Sequence, residues 1–85
     1  MDQMTIESEI EFFLLSDPMY AGLLPKRLTD DFELAKTGAL DSIGIFNLVA
    51  FLEKKFSVSI EATDLVESNF ASIRAISAFV RARKK

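Results

Sequence analysis

The sequence predicts an all-α fold: a four-helix bundle of three longer helices and one short helix, with a long first loop. Three observations predict it. Apolar residues recur at helical spacing in three separate segments. No stretch keeps the alternating period of a strand for long enough to build a sheet. The one long gap between helical segments carries apolar residues of its own, so it is expected to lie across the helices and pack on them. An antiparallel arrangement of the helices follows. With 85 residues, the expectation is a single domain spanning residues 1–85.

The first helix is expected over residues 3–15. Ile6, Ile10, Phe13 and Leu14 fall at i, i+4, i+7 and i+8 and form one face. Glu7, Glu9 and Glu11 lie mostly elsewhere, and Ser16, Asp17 and Pro18 end the helix. The loop from 16 to 40 is longer than connections in compact domains usually are. Its expected anchors are Leu23, Leu24, Leu28, Phe32 and Leu34, with a short helical turn between them. Thr29, Asp30 and Asp31 read as a turn, and Gly38 as a residue in a backbone conformation that side chains resist. The second helix is expected over 42–55, an extended linker over 56–60, and a short third helix over 62–68, ended by Asn69. Ser72 caps or opens the last helix, whose buried stripe is Ile73, Ile76 and Val80, with Phe79 beside it.

Composition narrows the chemistry. Hydrophobic residues make up 49% of the chain, and eight are phenylalanines, enough for a packed core and too many for disorder. There is no cysteine and no histidine. Disulfides, thiolate metal sites and the commonest general base are therefore absent. No catalytic residue and no metal ligand stands out, and the expectation is a protein that is recognised by others rather than an enzyme. The net charge is −3. Four of the ten basic residues are Arg81, Arg83, Lys84 and Lys85, which leaves six cations against thirteen acidic residues in the rest of the chain. An acidic body disfavours nucleic acid and suits basic partners. The basic tail has a local explanation, since cations suit the last turn of a helix. The N-terminal stretch lacks the pattern of a signal peptide, and no apolar run reaches membrane-spanning length. A soluble, cytoplasmic, monomeric protein that uses no membrane is expected.

The second helix carries the question of function, in the stretch "TGALDSIGIFNLVAFLEKKF" from Thr37 to Phe56. At about 100° per residue, Ile45, Leu48, Val49, Leu52 and Phe56 gather on one side as a core stripe. Ile43, Phe46 and Ala50 form a second apolar stripe roughly a third of a turn away. Phe51 lies on yet another side, where the long loop is its expected neighbour. The second stripe is either covered by the long loop or is a docking face rimmed by Asn47, Glu53 and Lys54. At the start of the helix, Ser42 is either an N-cap or a site of modification. A helix N-terminus suits an anion, so a phosphodiester on Ser42 would be favoured there. Asp41 is placed to cap the helix or to help hold a metal–phosphate. Gly44 either keeps the surface beside Ser42 open or is tolerated near a helix end.

Leu40, Asp41, Ser42 and Ile43, followed by a helix ending in Leu52, Glu53, Lys54, Lys55 and Phe56, resemble the attachment region of acyl and peptidyl carrier proteins. The upstream "DFELAKTGALDS" resembles that family's approach loop, and the downstream "NFASIRAISAFV" resembles its final helix and the turn before it. The resemblance implies that Ser42 receives 4'-phosphopantetheine from coenzyme A through a phosphopantetheinyl transferase that uses magnesium. Asp41 would assist, and the thiol of the arm would carry acyl or aminoacyl groups as thioesters to acyl-transferring or condensing enzymes of fatty-acid, polyketide or related biosynthesis. A chain without cysteine would thus import its thiol. The resemblance also makes the second helix the partner face, at Ile43, Phe46, Asn47, Ala50, Glu53 and Lys54. Fatty-acid carriers are strongly acidic along this helix and usually have an acid two residues after the serine. Here Gly44 stands in that place and Glu53 is the only acid in the helix after Ser42. A specialised carrier of an unusual acyl chain, a secondary metabolite or an amino acid is as well supported as one of housekeeping lipid synthesis. A non-carrier helical interaction module is the alternative.

Overall fold

Residues 5–84 are described by a computed structural model. Five helices and two short 3-10 turns follow one another with no strand among the described residues: α1 (Ile6–Ser16), α2 (Pro18–Ala21), α3 (Ser42–Phe56), α4 (Glu67–Phe70) and α5 (Ile73–Arg83). The 3-10 turns are Leu34–Thr37 and Ala62–Asp64. The fold is the expected all-α bundle, built on the three long helices α1, α3 and α5.

Each long helix starts where the sequence offers a cap. Thr5 Oγ1 accepts the Ser8 N–H at 3.0 Å and opens α1. The expected start of that helix at residue 3 lies outside the described residues. Asp17 closes α1 through its own N–H, which donates to Phe13 O at 3.1 Å, and opens α2 by accepting the Met19 N–H at 2.9 Å. Pro18 then occupies the first position of α2, where a missing N–H costs nothing. Ser72 is the cap of α5 rather than its first residue, its Oγ accepting the Ala75 N–H at 3.1 Å.

The core joins Ile10 and Leu14 of α1, Leu48, Leu52 and Phe56 of α3, and Ile73, Ile76 and Val80 of α5. Ile45 and Val49, expected in the core stripe, are only half-buried. Phe51 stacks on Phe13 of α1, ring centroids 4.1 Å apart and planes within 9°, and lines a shallow hollow together with Ser16, Asp17 and Pro18 at the start of the long loop. It also meets the ring of Phe56 almost at right angles, with centroids 6.1 Å apart. Phe56 is the last residue of α3, not the start of the linker. Ser57 then breaks the helix in a left-handed conformation at φ 57°.

The long loop is pinned at several points. Leu24, Leu28 and Leu34 are buried and Phe32 packs against them. Leu23 is not an anchor and is 52% exposed. Its N–H closes the turn after α2 on Tyr20 O at 2.8 Å, and the next residue, Leu24, points inward in its stead. Glu11 reaches from α1 to accept the Leu28 N–H at 3.1 Å. The turn at Thr29 is present, with Phe32 N–H donating to Thr29 O at 3.2 Å. From α5, Arg74 donates its backbone N–H to Asp30 O and its guanidinium to both oxygens of Asp31, at 2.6 and 3.1 Å.

The expected third helix is split. Leu65 and Val66 leave helical geometry between the 3-10 turn Ala62–Asp64 and α4. Asn69 lies inside α4 instead of ending a helix. Its side-chain amide donates to Asp64 O at 2.9 Å, occupying a carbonyl that a continuous helix would use for its own ladder. The basic tail serves the bundle. Arg81 forms a two-pronged pair with Glu7 of α1 at 2.6 and 2.8 Å. Arg83 pairs with Asp64 and reaches Ser59 O at 3.1 Å. Lys84 lies 5.6 Å from the ring centre of Phe56. Lys85 lies outside the described residues.

Candidate functional site

The approach to α3 is built from short, local hydrogen bonds. Leu34 N–H donates to Ala71 O at 2.8 Å, which ties the first 3-10 turn to the segment before α5. Thr37 Oγ1 donates to Leu34 O at 2.8 Å and accepts the Ala39 N–H at 3.0 Å. Gly38 sits between them at φ 80°, as its reading as a special backbone position anticipates. The backbone carbonyl of Ala39 is thereby aimed at the first turn of α3.

Gly44 meets it there. A Cβ on Gly44 would overlap the Ala39 carbonyl oxygen, and would lie 3.1 Å from the carbonyl carbon and 3.2 Å from Asp41 Oδ1. Gly44 is buried, so it does not keep the surface beside Ser42 open, and it is not merely tolerated. The loop and the helix can approach this closely only without a side chain at 44.

Asp41, not Ser42, is the N-cap. Its Oδ1 accepts the Gly44 N–H at 2.8 Å, while Asp41 O accepts the Ile45 N–H at 2.7 Å. Ser42 is therefore the first helical residue. Its side chain is exposed and makes no hydrogen bond among the described residues. Helix geometry also leaves the N–H groups of Ser42 and Ile43 without intrahelical acceptors. An anion attached at Ser42 would sit on the positive end of α3, and the open surface gives an enzyme access to the hydroxyl.

Sequence reasoning missed the partner of this turn. Tyr20 of α2 is fully buried, and its hydroxyl donates to Gly44 O. Burial pushes that hydroxyl above the ordinary phenol range. Asn47 completes the joint, its amide donating to Asp17 Oδ2 at 3.0 Å and to the Tyr20 hydroxyl at 3.3 Å. The lone tyrosine of the chain is the signal that points to it, because a buried phenol seeks a hydrogen-bond partner.

The second stripe faces solvent. Ile43 is 68% and Phe46 63% exposed, and Ala50 is exposed beside them. The long loop does not cover them. Lys54 is exposed at the far end of this face. Asn47 and Glu53 are half-buried and turned to internal work: Asn47 in the joint with α2, Glu53 in accepting the Ile60 N–H at 2.9 Å. On the other side of Ser42 a cleft of about 410 Å³ opens between α3 and α4. Leu40, Ile45, Leu65, Val66 and Phe70 give it apolar walls, and Asp41, Ser42 and Glu67 stand on it as well.

No described group of three or more acidic residues is arranged to hold a metal ion. No described helix is long and apolar enough to cross a membrane. Comparison with curated proteins and comparison with solved structures each return no match. A family of proteins, described as the phosphopantetheine attachment site, matches residues 21–80, from the end of α2 to within three residues of the end of α5. Such a family carries 4'-phosphopantetheine covalently, as a carrier domain that is generally not itself catalytic. A capped helix start with an uncapped, solvent-facing serine, an anion-favouring first turn and an adjoining cleft fit that group, and the chain belongs to the phosphopantetheine attachment-site family.

Proposed function

We propose that this protein is a carrier whose Ser42 receives 4'-phosphopantetheine and which presents acyl or aminoacyl intermediates to biosynthetic enzymes. The observation that carries the reading is the division of labour at the start of α3. Asp41 takes the capping role, so the hydroxyl of Ser42 is left exposed and uncommitted. When bound, the arm supplies a terminal thiol, the group that the chain itself lacks. The residues around it have separable tasks. Asp41 fixes the turn, and the free N–H groups and dipole of α3 favour the phosphodiester charge. No side chain among the described residues takes a hydrogen bond from Ser42, so the base that accepts its proton belongs to the transferase. In that transfer the Ser42 Oγ–P bond forms, the pyrophosphate linkage of coenzyme A breaks, and the nucleotide bisphosphate leaves.

Ile43, Phe46 and Ala50 are the proposed contacts for partner enzymes, with Lys54 at the edge of the face. Asn47 and Glu53, proposed for the same face, contribute through the elements they hold: Asn47 bonds the cap of α2 at Asp17, and Glu53 bonds the linker at Ile60. With Glu53 turned inward, this face offers little negative charge. Apolar contact then sets its affinity more than electrostatic steering does. A carrier outside the strongly acidic fatty-acid type is the reading these features support; it is further proposed to work in the cytoplasm as a monomer.

The test is intact mass after incubation with coenzyme A, magnesium and a broad-specificity transferase. The wild type should gain one phosphopantetheine and Ser42→Ala none. An unmodified wild type, or a variant that gains the same mass, refutes the assignment.

A further inference from the structure

A second surface lies on the side of α3 turned to α1, away from Ser42. The two helices run antiparallel there and are joined by three bridges, each one turn from the next. Lys55 pairs with Glu9 at 3.0 Å, Phe51 stacks on Phe13 with centroids 4.1 Å apart, and the Asn47 amide donates to Asp17 Oδ2 at 3.0 Å. Along this row runs an open groove of about 570 Å³. Its walls are two helical ridges. Glu9, Phe12, Phe13 and Ser16 of α1 recur at i, i+3, i+4 and i+7, and Phe51 and Lys55 of α3 stand one turn apart. Phe12 is 66% exposed on its wall. Large apolar side chains left bare within a polar rim mark interaction surfaces.

Shape and charge together select the occupant. A groove between two helical ridges accepts the ridge of a third helix. From Glu9 to Ser16 the α1 wall spans about 10 Å, or two turns. The acidic groups of the groove are committed: Glu9 to Lys55, and Asp17 to the Met19 N–H and the Asn47 amide. Lys54, which lies against Phe51 and Lys55, is exposed and has no ion pair among the described residues. The uncommitted charge at the rim is therefore cationic, in a chain of net charge −3. We propose that this groove docks an acidic amphipathic helix of a partner protein, with its apolar side chains on Phe12 and the Phe13–Phe51 stack and a carboxylate against Lys54. Phe51 and Phe46 lie about 140° apart around α3, so the groove is separate from the stripe at Ile43, Phe46 and Ala50. Ser42 stands about 14 Å from Phe51 along the axis. A helix held in the groove leaves Ser42 accessible, and the inference goes beyond the carrier reading without depending on it.

The probe is a synthetic helical peptide of about 15 residues, with leucines along one face and glutamates beside them. Two companions carry glutamine or lysine in place of the glutamates. Each is titrated into the full-length protein and followed by the backbone amide shifts of Phe12, Phe13, Phe51 and Lys54. The glutamate peptide should saturate these shifts. The glutamine peptide should bind about two- to fivefold more weakly, as expected for the loss of an exposed charge pair, and the lysine peptide more weakly still. Lys54→Glu should reverse the order of the glutamate and lysine peptides. Phe12→Ala, at an exposed position, should weaken the glutamate peptide by about fivefold or more and still accept phosphopantetheine as the wild type does. No saturable shift with the glutamate peptide, equal affinity for all three, or shifts confined to Ile43, Phe46 and Ala50 overturns the proposal. Shifts of the groove residues that grow with protein concentration alone, and vanish in Phe12→Ala, overturn it as well, because the occupant is then a second copy of the chain. A wild type that binds the glutamate peptide in the groove but takes up no phosphopantetheine supports the groove and overturns the carrier reading instead.

Discussion

Along α3, Leu48, Leu52 and Phe56 share a core with α1 and α5, whereas Ile43, Phe46 and Ala50, about a third of a turn away, face solvent. Both sets are apolar and both recur at helical spacing. What separates them is whether a neighbour reaches them. The long loop is tethered elsewhere, by Glu11, Arg74 and Ala71, and by Tyr20 against the first turn of α3. Those tethers draw it across one side of α3 and leave the other bare. Periodicity identifies two stripes and cannot say which has a roof, because the roof is held by bonds between residues far apart in the chain.

The largest expected effect breaks the comparison directly. Leu48→Ala opens a void in the core and should cost about 2–5 kcal/mol, read as a lower urea midpoint. Phe46→Glu, on the bare stripe, should stay within about 0.5 kcal/mol of the wild type while weakening binding to a partner enzyme. If Phe46→Glu unfolds the domain, the second stripe is not a free surface.

A smaller effect is expected where the loop meets the helix. Gly44→Ala should raise helix propensity by about 1 kcal/mol, yet its methyl collides with the Ala39 carbonyl. Overpacking of this kind costs about 1–3 kcal/mol, so the net change should be destabilising or close to zero, never the full propensity gain. Phosphopantetheine transfer to Ser42 should slow in the same variant, because the loop that leads into Asp41 must move. A stabilised variant modified at the wild-type rate would show that the close approach does not matter.

The smallest effect lies at the far end of the bundle. The Arg81 guanidinium, by its hydrogen bonds, holds the Glu7 carboxyl below the usual carboxylate range. The unfolded chain therefore takes up this proton first as pH falls. The pair contributes stability above the unfolded value of about 4.3, and that contribution is lost as pH drops through the lower folded value. Arg74 lowers Asp31 in the same way, and Asp64 is lowered first by the Glu61 N–H and then by Arg83. Glu7→Gln should flatten the fall of the urea midpoint between about pH 5 and pH 3 without removing it. A slope identical to the wild type would mean that the α1–α5 pair is too well screened to matter.

The legible and illegible parts of the site divide by distance along the chain. Gly38 as a turn residue follows from local chemistry, and the structure has it so; local chemistry also offered Asp41 and Ser72 as caps, each beside an alternative, and the structure chose the cap in both places. Ser42 stood out through its resemblance to carrier attachment regions, since a serine at a helix start is otherwise ordinary. Tyr20 was invisible, because its burial depends on a carbonyl 24 residues away. Gly44 looked like a local cost to the helix, because the carbonyl it makes room for belongs to a preceding turn. Asn69 and Leu23 were misread for a similar reason: the first is drawn inward by Asp64 O, and the second is turned out as Leu24 takes the buried place.

The sequence by itself determined the class of fold, the three long helices and most of their core residues, the candidate caps, and the absence of any thiol or imidazole of its own. These depend on periodicity, propensity and composition, which are local. The tertiary structure decided which apolar stripe is bare, that the loop carbonyl closes on Gly44, that α2 is bolted to α3 through Tyr20 and Asn47, and that an apolar cleft with an acidic mouth opens beside Ser42. Each of these joins elements distant in sequence. Burial, like hydrogen-bond satisfaction, is a property of what surrounds a residue and not of the residue alone.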